Sequence, residues 1–161
     1  MYINENEYAE LYPAMDSKDF KRLSFEAGQH IDRLTTGADG VKKLKAAFPT
    51  DTDSAAAVKH CAAKIINILY QIQEAEKSAS MGRGYEQTEN GLQGKVISSI
   101  SSGNESISYS TANASKTVID MAASDISVKN RLVRDTVSTM LSGVSDANGV
   151  NLLYMGVYPR V

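Results

Sequence analysis

The chain has two histidines, His30 and His60, and one cysteine, Cys61, the residue types that ligate metals or relay protons near neutral pH. His60 beside Cys61 suggests a metal or a thiol nucleophile. On a helix, however, neighbouring side chains point about 100° apart and do not readily share one ligand. His30 falls beside an apolar stripe, where a packed or half-exposed imidazole is the ordinary outcome. Asp51-Thr52-Asp53 opens like a calcium loop, but Ala56 stands at the sixth position and Ala62 at the twelfth, where glycine and glutamate are needed. Those carboxylates read better as helix caps. Gly82-Arg83-Gly84 is a fragment of a phosphate loop without the preceding strand or the Lys-Ser/Thr that would hold phosphate. The expectation is no catalytic residue, no metal and no cofactor.

The remaining chemistry is that of contact. Tyrosine carries most of the aromatic content, eight residues against three phenylalanines and no tryptophan. Tyr70 belongs to a helical stripe and reads as core. The tail 152–161 is different: Leu152, Leu153, Tyr154, Met155, Val157, Tyr158 and Arg160 make an apolar, aromatic segment where a chain terminus is ordinarily polar. Such a composition marks a partner surface, with docking on its own domain as the other reading.

These residues need elements to carry them, and the stretch Asp53–Ala79 is the strongest. Val58, Cys61, Ala62, Ile65, Ile68, Leu69 and Ile72 form one stripe of a long helix, with Asp53 or Ser54 able to cap its start. Earlier, Asn4 caps a short helix over Glu5–Leu11. Asp16 or Ser17 opens a second, with Phe20, Leu23, Ala27, Ile31 and Leu34 inward and Lys18, Lys21, Arg22, Glu26 and Arg33 outward. A short basic turn of helix through Val41, Leu44 and Phe48 ends at Pro49.

Beyond the long helix the glycine-rich stretch 80–94 reads as a loop. A hairpin follows over 95–110, with arms Lys95–Ser101 and Glu105–Ser110 around Ser102-Gly103-Asn104, and with Ile107 and Tyr109 on one face. A lone ribbon is marginal and needs the helices or a neighbouring subunit. Helix resumes near Ser115, with a fresh cap at Ser124-Asp125. Its inner face is Ile126, Val133, Val137, Met140 and Leu141, its outer pairs are Asp125–Lys129 and Arg131–Asp135, and it ends at Gly143. The predicted fold is mainly α. A single domain over 1–161 builds a small helical bundle (about 4–79 and 115–143) around the long helix, with one hairpin and an extended tail, 144–161.

At 161 residues, 42% hydrophobic and 22% charged, the composition is globular. A net charge of −2 speaks against a protein that wraps nucleic acid. The helix Asp125–Leu141 offers Lys129, Arg131 and Arg134 but also Asp125 and Asp135, a poor recognition helix. No apolar run reaches the ~20 residues of a membrane span, and Met1–Glu5 lacks the blocks of a signal peptide. The expectation is a soluble, intracellular protein.

The order of these parts resembles the head–tail connector (adaptor, or head-completion) proteins of tailed bacteriophages and prophages. The similarity runs over nearly the whole chain. It includes Asp16-Ser17-Lys18-Asp19-Phe20-Lys21-Arg22-Leu23 with Ile31-Asp32-Arg33-Leu34-Thr35, the helix around Ala62–Ile72, the serine-rich hairpin from Gly94 to Ser110, and the closing Leu152-Leu153-Tyr154-Met155-Gly156-Val157. The resemblance implies no enzyme. It implies a virion component that forms a homo-oligomeric ring beneath the portal protein, matching its twelvefold symmetry. Such a ring extends the DNA channel without binding DNA specifically and docks later neck and tail completion proteins. The protein would sit in the virion neck, and in the host cytoplasm during assembly. On that reading the tail residues Leu152, Leu153, Tyr154, Met155, Val157, Tyr158 and Arg160 dock the portal, while Ser102, Gly103, Asn104, Ile107 and Tyr109 serve subunit contact or the lumen. The alternative is a small helical adaptor or regulator using the same tail on another partner.

Overall fold

Asn4 caps the first helix, α1 (Glu5–Ala9), in a reciprocal box: its side chain accepts from the Glu7 N–H, and the Glu7 carboxylate accepts from the Asn4 N–H, both at 2.9 Å. Asp16 caps α2 (Ser17–Thr35) by accepting from the Lys18 N–H. A single turn, α3 (Lys43–Ala46), precedes the long helix α4 (Thr52–Met81). In this computed structural model, residues 1–159 are described apart from 82, 89–90, 97–98, 103–104 and 109–116. Between 78 and 108 the description is of helix and strand backbone. The chain closes with α5 (Val118–Ser124) and α6 (Ile126–Met140), so the fold is mainly helical.

The cap of α4 is Asp51, whose carboxylate accepts from the Ser54 N–H at 2.9 Å, rather than Asp53 or Ser54. The helix begins one residue earlier than expected, so the accepting side chain must lie earlier too. All seven residues of the expected stripe are buried, and Ala63 and Ile66 join them, which widens the buried face beyond a single stripe. The reason is the number of neighbours: α4 packs against α2, α5 and α6. Phe20, Leu23, Ala27 and Ile31 of α2 and Val133 and Val137 of α6 complete the main core, with Leu44, Leu141 and Leu152. A smaller cluster, Ile68, Ile72 and Ala122, joins α4 to α5.

Two details of α6 depart from its sequence pattern. Ile126, on the inner stripe by periodicity, is 66% exposed, because it opens the helix two turns before the buried Val133. Lys129 reaches across to Glu26 of α2 at 2.9 Å instead of pairing with Asp125. The Asp125 carboxylate is already committed to capping, accepting from the Ser127 N–H at 2.7 Å. Arg131–Asp135 does form, loosely, at 3.7 Å on the outer face.

Between α4 and α5 the backbone runs as two antiparallel ladders. The first joins β1 (Arg83–Thr88) to β2 (Gly91–Val96), pairing Thr88 with Gly91, and the second joins β3 (Ser99–Ser102) to β4 (Glu105–Ser108), pairing Ser102 with Glu105. The stretch expected as a loop thus carries a ladder, and Lys95 and Val96 pair back onto Gly84 and Arg83 rather than beginning the second hairpin. Among the described residues, no helix is long and apolar enough to cross a membrane.

Candidate functional site

The residues that could do chemistry do not meet. Cys61 is fully buried, and burial pushes its thiol up to about 12, which leaves it protonated and unreactive. His60 is exposed on another side of α4. His30 is half-buried near Glu26 at 4.0 Å, and burial draws its imidazole below the ordinary value. Among the described residues, no three His, Cys, Asp or Glu side chains cluster as a metal ion would require.

The built part of the molecule lies instead where the C-terminal segment meets α3. α6 ends at Met140 with Leu141 as its cap, two residues before the expected stop, and Gly143 follows in the turn at a φ of +78°, a conformation a side chain disfavours. The chain then doubles back: the Asp146 N–H donates to the Val150 carbonyl at 2.9 Å, the Leu152 N–H to the Val144 carbonyl at 2.9 Å, and Ser145 bridges Asn151. Asp146 is the centre of this loop. One carboxylate oxygen accepts from the Asn148 and Val150 N–H groups, both at 2.9 Å, and the other from the Tyr158 hydroxyl at 2.6 Å. A buried carboxylate is tolerable only when so fully bonded.

Lys43 fixes the next residues. It is wholly buried, and its ammonium donates to the backbone carbonyls of Asn151 at 3.2 Å, Leu152 at 3.0 Å and Tyr154. It also lies 5.7 Å from the centre of the Tyr154 ring, within cation–π range. Burial lowers its pKa, while the carboxylates of Asp146 and Asp39 hold it up. The α2–α3 connection adds two further ties: the Ala38 N–H donates to the Gly156 carbonyl at 3.1 Å, and the Asp39 carboxylate accepts from the Tyr158 N–H at 3.1 Å. A Cβ at Gly37 would stand 2.8 Å from the Asp39 carboxylate and 3.0 Å from the Gly156 carbonyl, so a side chain there would disturb both ties, while one at Gly156 would force the Tyr154 ring to shift.

The expected contact residues therefore divide. Leu152 is fully buried, Leu153 packs partly on the core, and Tyr158 is buried at the Asp146 hydrogen bonds. These three are anchors, and the segment is folded onto its own domain rather than extended. Its apolar residues find their surface in the cleft beside α3. Tyr154, Met155 and Val157 remain outside at 53%, 64% and 67% exposure. Met155 borders a pocket of about 350 Å³ with His30, Arg33, Leu34, Asn130 and Arg134. Arg160, Gly103, Asn104 and Tyr109 lie outside the described residues, and Ser102 and Ile107 are described only as members of β3 and β4.

Lys43 and Asp146 escaped the sequence reading, which took Gly37 and Asp39 only as the residues that end α2 and lead into the next turn. Asp146-Ala147-Asn148-Gly149 is a turn sequence legible in advance, but nothing in Val41-Lys42-Lys43-Leu44-Lys45 separates Lys43 from its exposed neighbours. No protein-family model, no curated protein and no solved structure matches the chain.

Proposed function

We propose that this protein is a head–tail connector of a tailed phage or prophage, a structural ring component between portal and tail. The observation that carries the reading is the strip Tyr154, Met155 and Val157, apolar, exposed and held in place from below by Lys43 and Asp39. A strip fixed before binding loses little conformational entropy when it is covered. Repeated around a ring, a modest contact of this kind gains by avidity. The docking set is accordingly Tyr154, Met155 and Val157 rather than the whole tail. The β3–β4 ladder, which carries Ser102 and Ile107, serves contact between subunits or the lumen together with Gly103, Asn104 and Tyr109. A net charge of −2 suits a channel through which phosphate must slide without being held.

The test is Met155→Glu combined with Val157→Glu. Both side chains are exposed, so the melting temperature should stay within a few degrees of wild type. Co-sedimentation with portal protein should be lost. If the double variant binds portal as the wild type does, or if the wild type does not bind portal at all, the reading fails.

A further inference from the structure

A second surface lies on the other side of α2. Lys21, Phe25, Gln29 and Arg33 recur at intervals of four and so share one stripe of the helix. They line a groove of about 820 Å³ together with Asp32, Lys42 and Lys45. Four cations thus meet in one groove of a chain whose net charge is −2. Phe25 stands in the middle of the stripe at 67% exposure. The one carboxylate is already engaged: Asp32 accepts from the Tyr2 hydroxyl and pairs with Lys45 at 2.9 Å, with Lys42 at 4.0 Å. Lys21 and Arg33 have no carboxylate partner among the described residues.

The stripe from Lys21 to Arg33 spans about 18 Å, the reach of roughly five or six residues of extended peptide. Unpaired cations on both sides of an exposed ring ask for an anionic occupant with one apolar group. A nucleic acid strand is also anionic and carries rings, but a chain of net charge −2 lacks the massed positive charge that holds a phosphate backbone, and four local cations match a short acidic peptide. We propose that this groove seats an acidic segment of a partner protein, its carboxylates on Lys21, Arg33 and Lys42 and one apolar side chain against Phe25. This inference does not rest on the connector reading. Arg33 also borders the pocket beside Met155 and is left intact in the test.

The experiment uses the full chain and fluorescence anisotropy with three probes: a glutamate-rich peptide carrying one phenylalanine, its glutamine counterpart, and a single-stranded oligothymidylate. The acidic peptide is expected to bind, more weakly as salt rises. Its affinity should fall by about tenfold or more in Lys21→Glu combined with Lys42→Gln, and again in Phe25→Ser, at unchanged melting temperature. The glutamine peptide should bind at least about tenfold more weakly than the acidic one. Four results overturn the proposal: no binding of the acidic peptide, equal binding of the glutamine peptide, tighter binding of the oligothymidylate, or affinity indifferent to the variants. Light scattering supplies a fifth, because self-association abolished by Phe25→Ser would make a second copy of the chain the occupant.

Discussion

Lys43 shows how far one side chain can depart from its surroundings in the sequence. Its neighbours Lys42 and Lys45 are exposed, while its own ammonium is sealed under the C-terminal segment by three carbonyls. Lys43→Met keeps the length and apolar stem of the side chain but removes the donor. It should cost about 2–4 kcal/mol in thermal or urea unfolding, since buried carbonyls are left with less to accept from. A variant as stable as wild type would mean that water replaces the ammonium without loss. His30 makes a different prediction. Burial lowers its pKa in the fold, with Glu26 opposing, so as the pH falls the unfolded chain takes up the proton first. The stability linked to His30 is therefore present above its ordinary value of about 6.5 and is lost as the pH drops below it. Urea midpoints of wild type and His30→Gln between about pH 7.5 and 5.5 should diverge in that sense, the variant losing less. Parallel curves would rule it out.

At the scale of elements, period and capping chemistry were legible and destination was not. The stripe of α4 and the caps at Asn4, Asp16 and Asp125 follow from spacing and side-chain type alone. The partner of a cap competes with other uses of the same carboxylate, which is why Asp125 leaves Lys129 to Glu26. The C-terminal segment was legible as something that must be covered, since apolar composition says that much. Its cover is built from residues about 110 positions away, at the α2–α3 connection and α3, and no local pattern encodes that. Two substitutions within this segment should behave oppositely. Leu152→Ala, in the core, is expected to cost about 2–5 kcal/mol, whereas Val157→Ala, exposed, should fall within about 0.5 kcal/mol of wild type. Differential scanning of the pair reads the anchor against the free surface directly. Equal effects would remove the distinction on which the docking strip rests.

At the scale of the whole molecule, two apolar clusters of unequal size lie on one helix among the described residues. The larger gathers α2, α4, α6 and Leu152, while the smaller holds α5 to α4 through Ile68, Ile72 and Ala122. Unequal burial implies unequal opening free energies. Amide exchange in α5 should therefore proceed through partial opening and run ahead of exchange in α2 and the first half of α4. Uniform rates set by global unfolding would show that the two clusters form one cooperative unit. Ile65→Asp, in the larger cluster, should remove the fold altogether by burying an unpaired charge, seen as loss of far-ultraviolet helicity.

The clamp between Lys43 and the C-terminal carbonyls also has a temporal side. Its partners are separated by 108 to 111 positions in the chain. At ordinary rates of translation the ribosome takes roughly 5–20 s to travel that far. During that interval α4 and α6 are synthesised, while the site of Leu152 stands empty and Lys43 keeps its hydration shell. Drying of the Lys43 ammonium therefore waits on the carbonyls of Asn151, Leu152 and Tyr154.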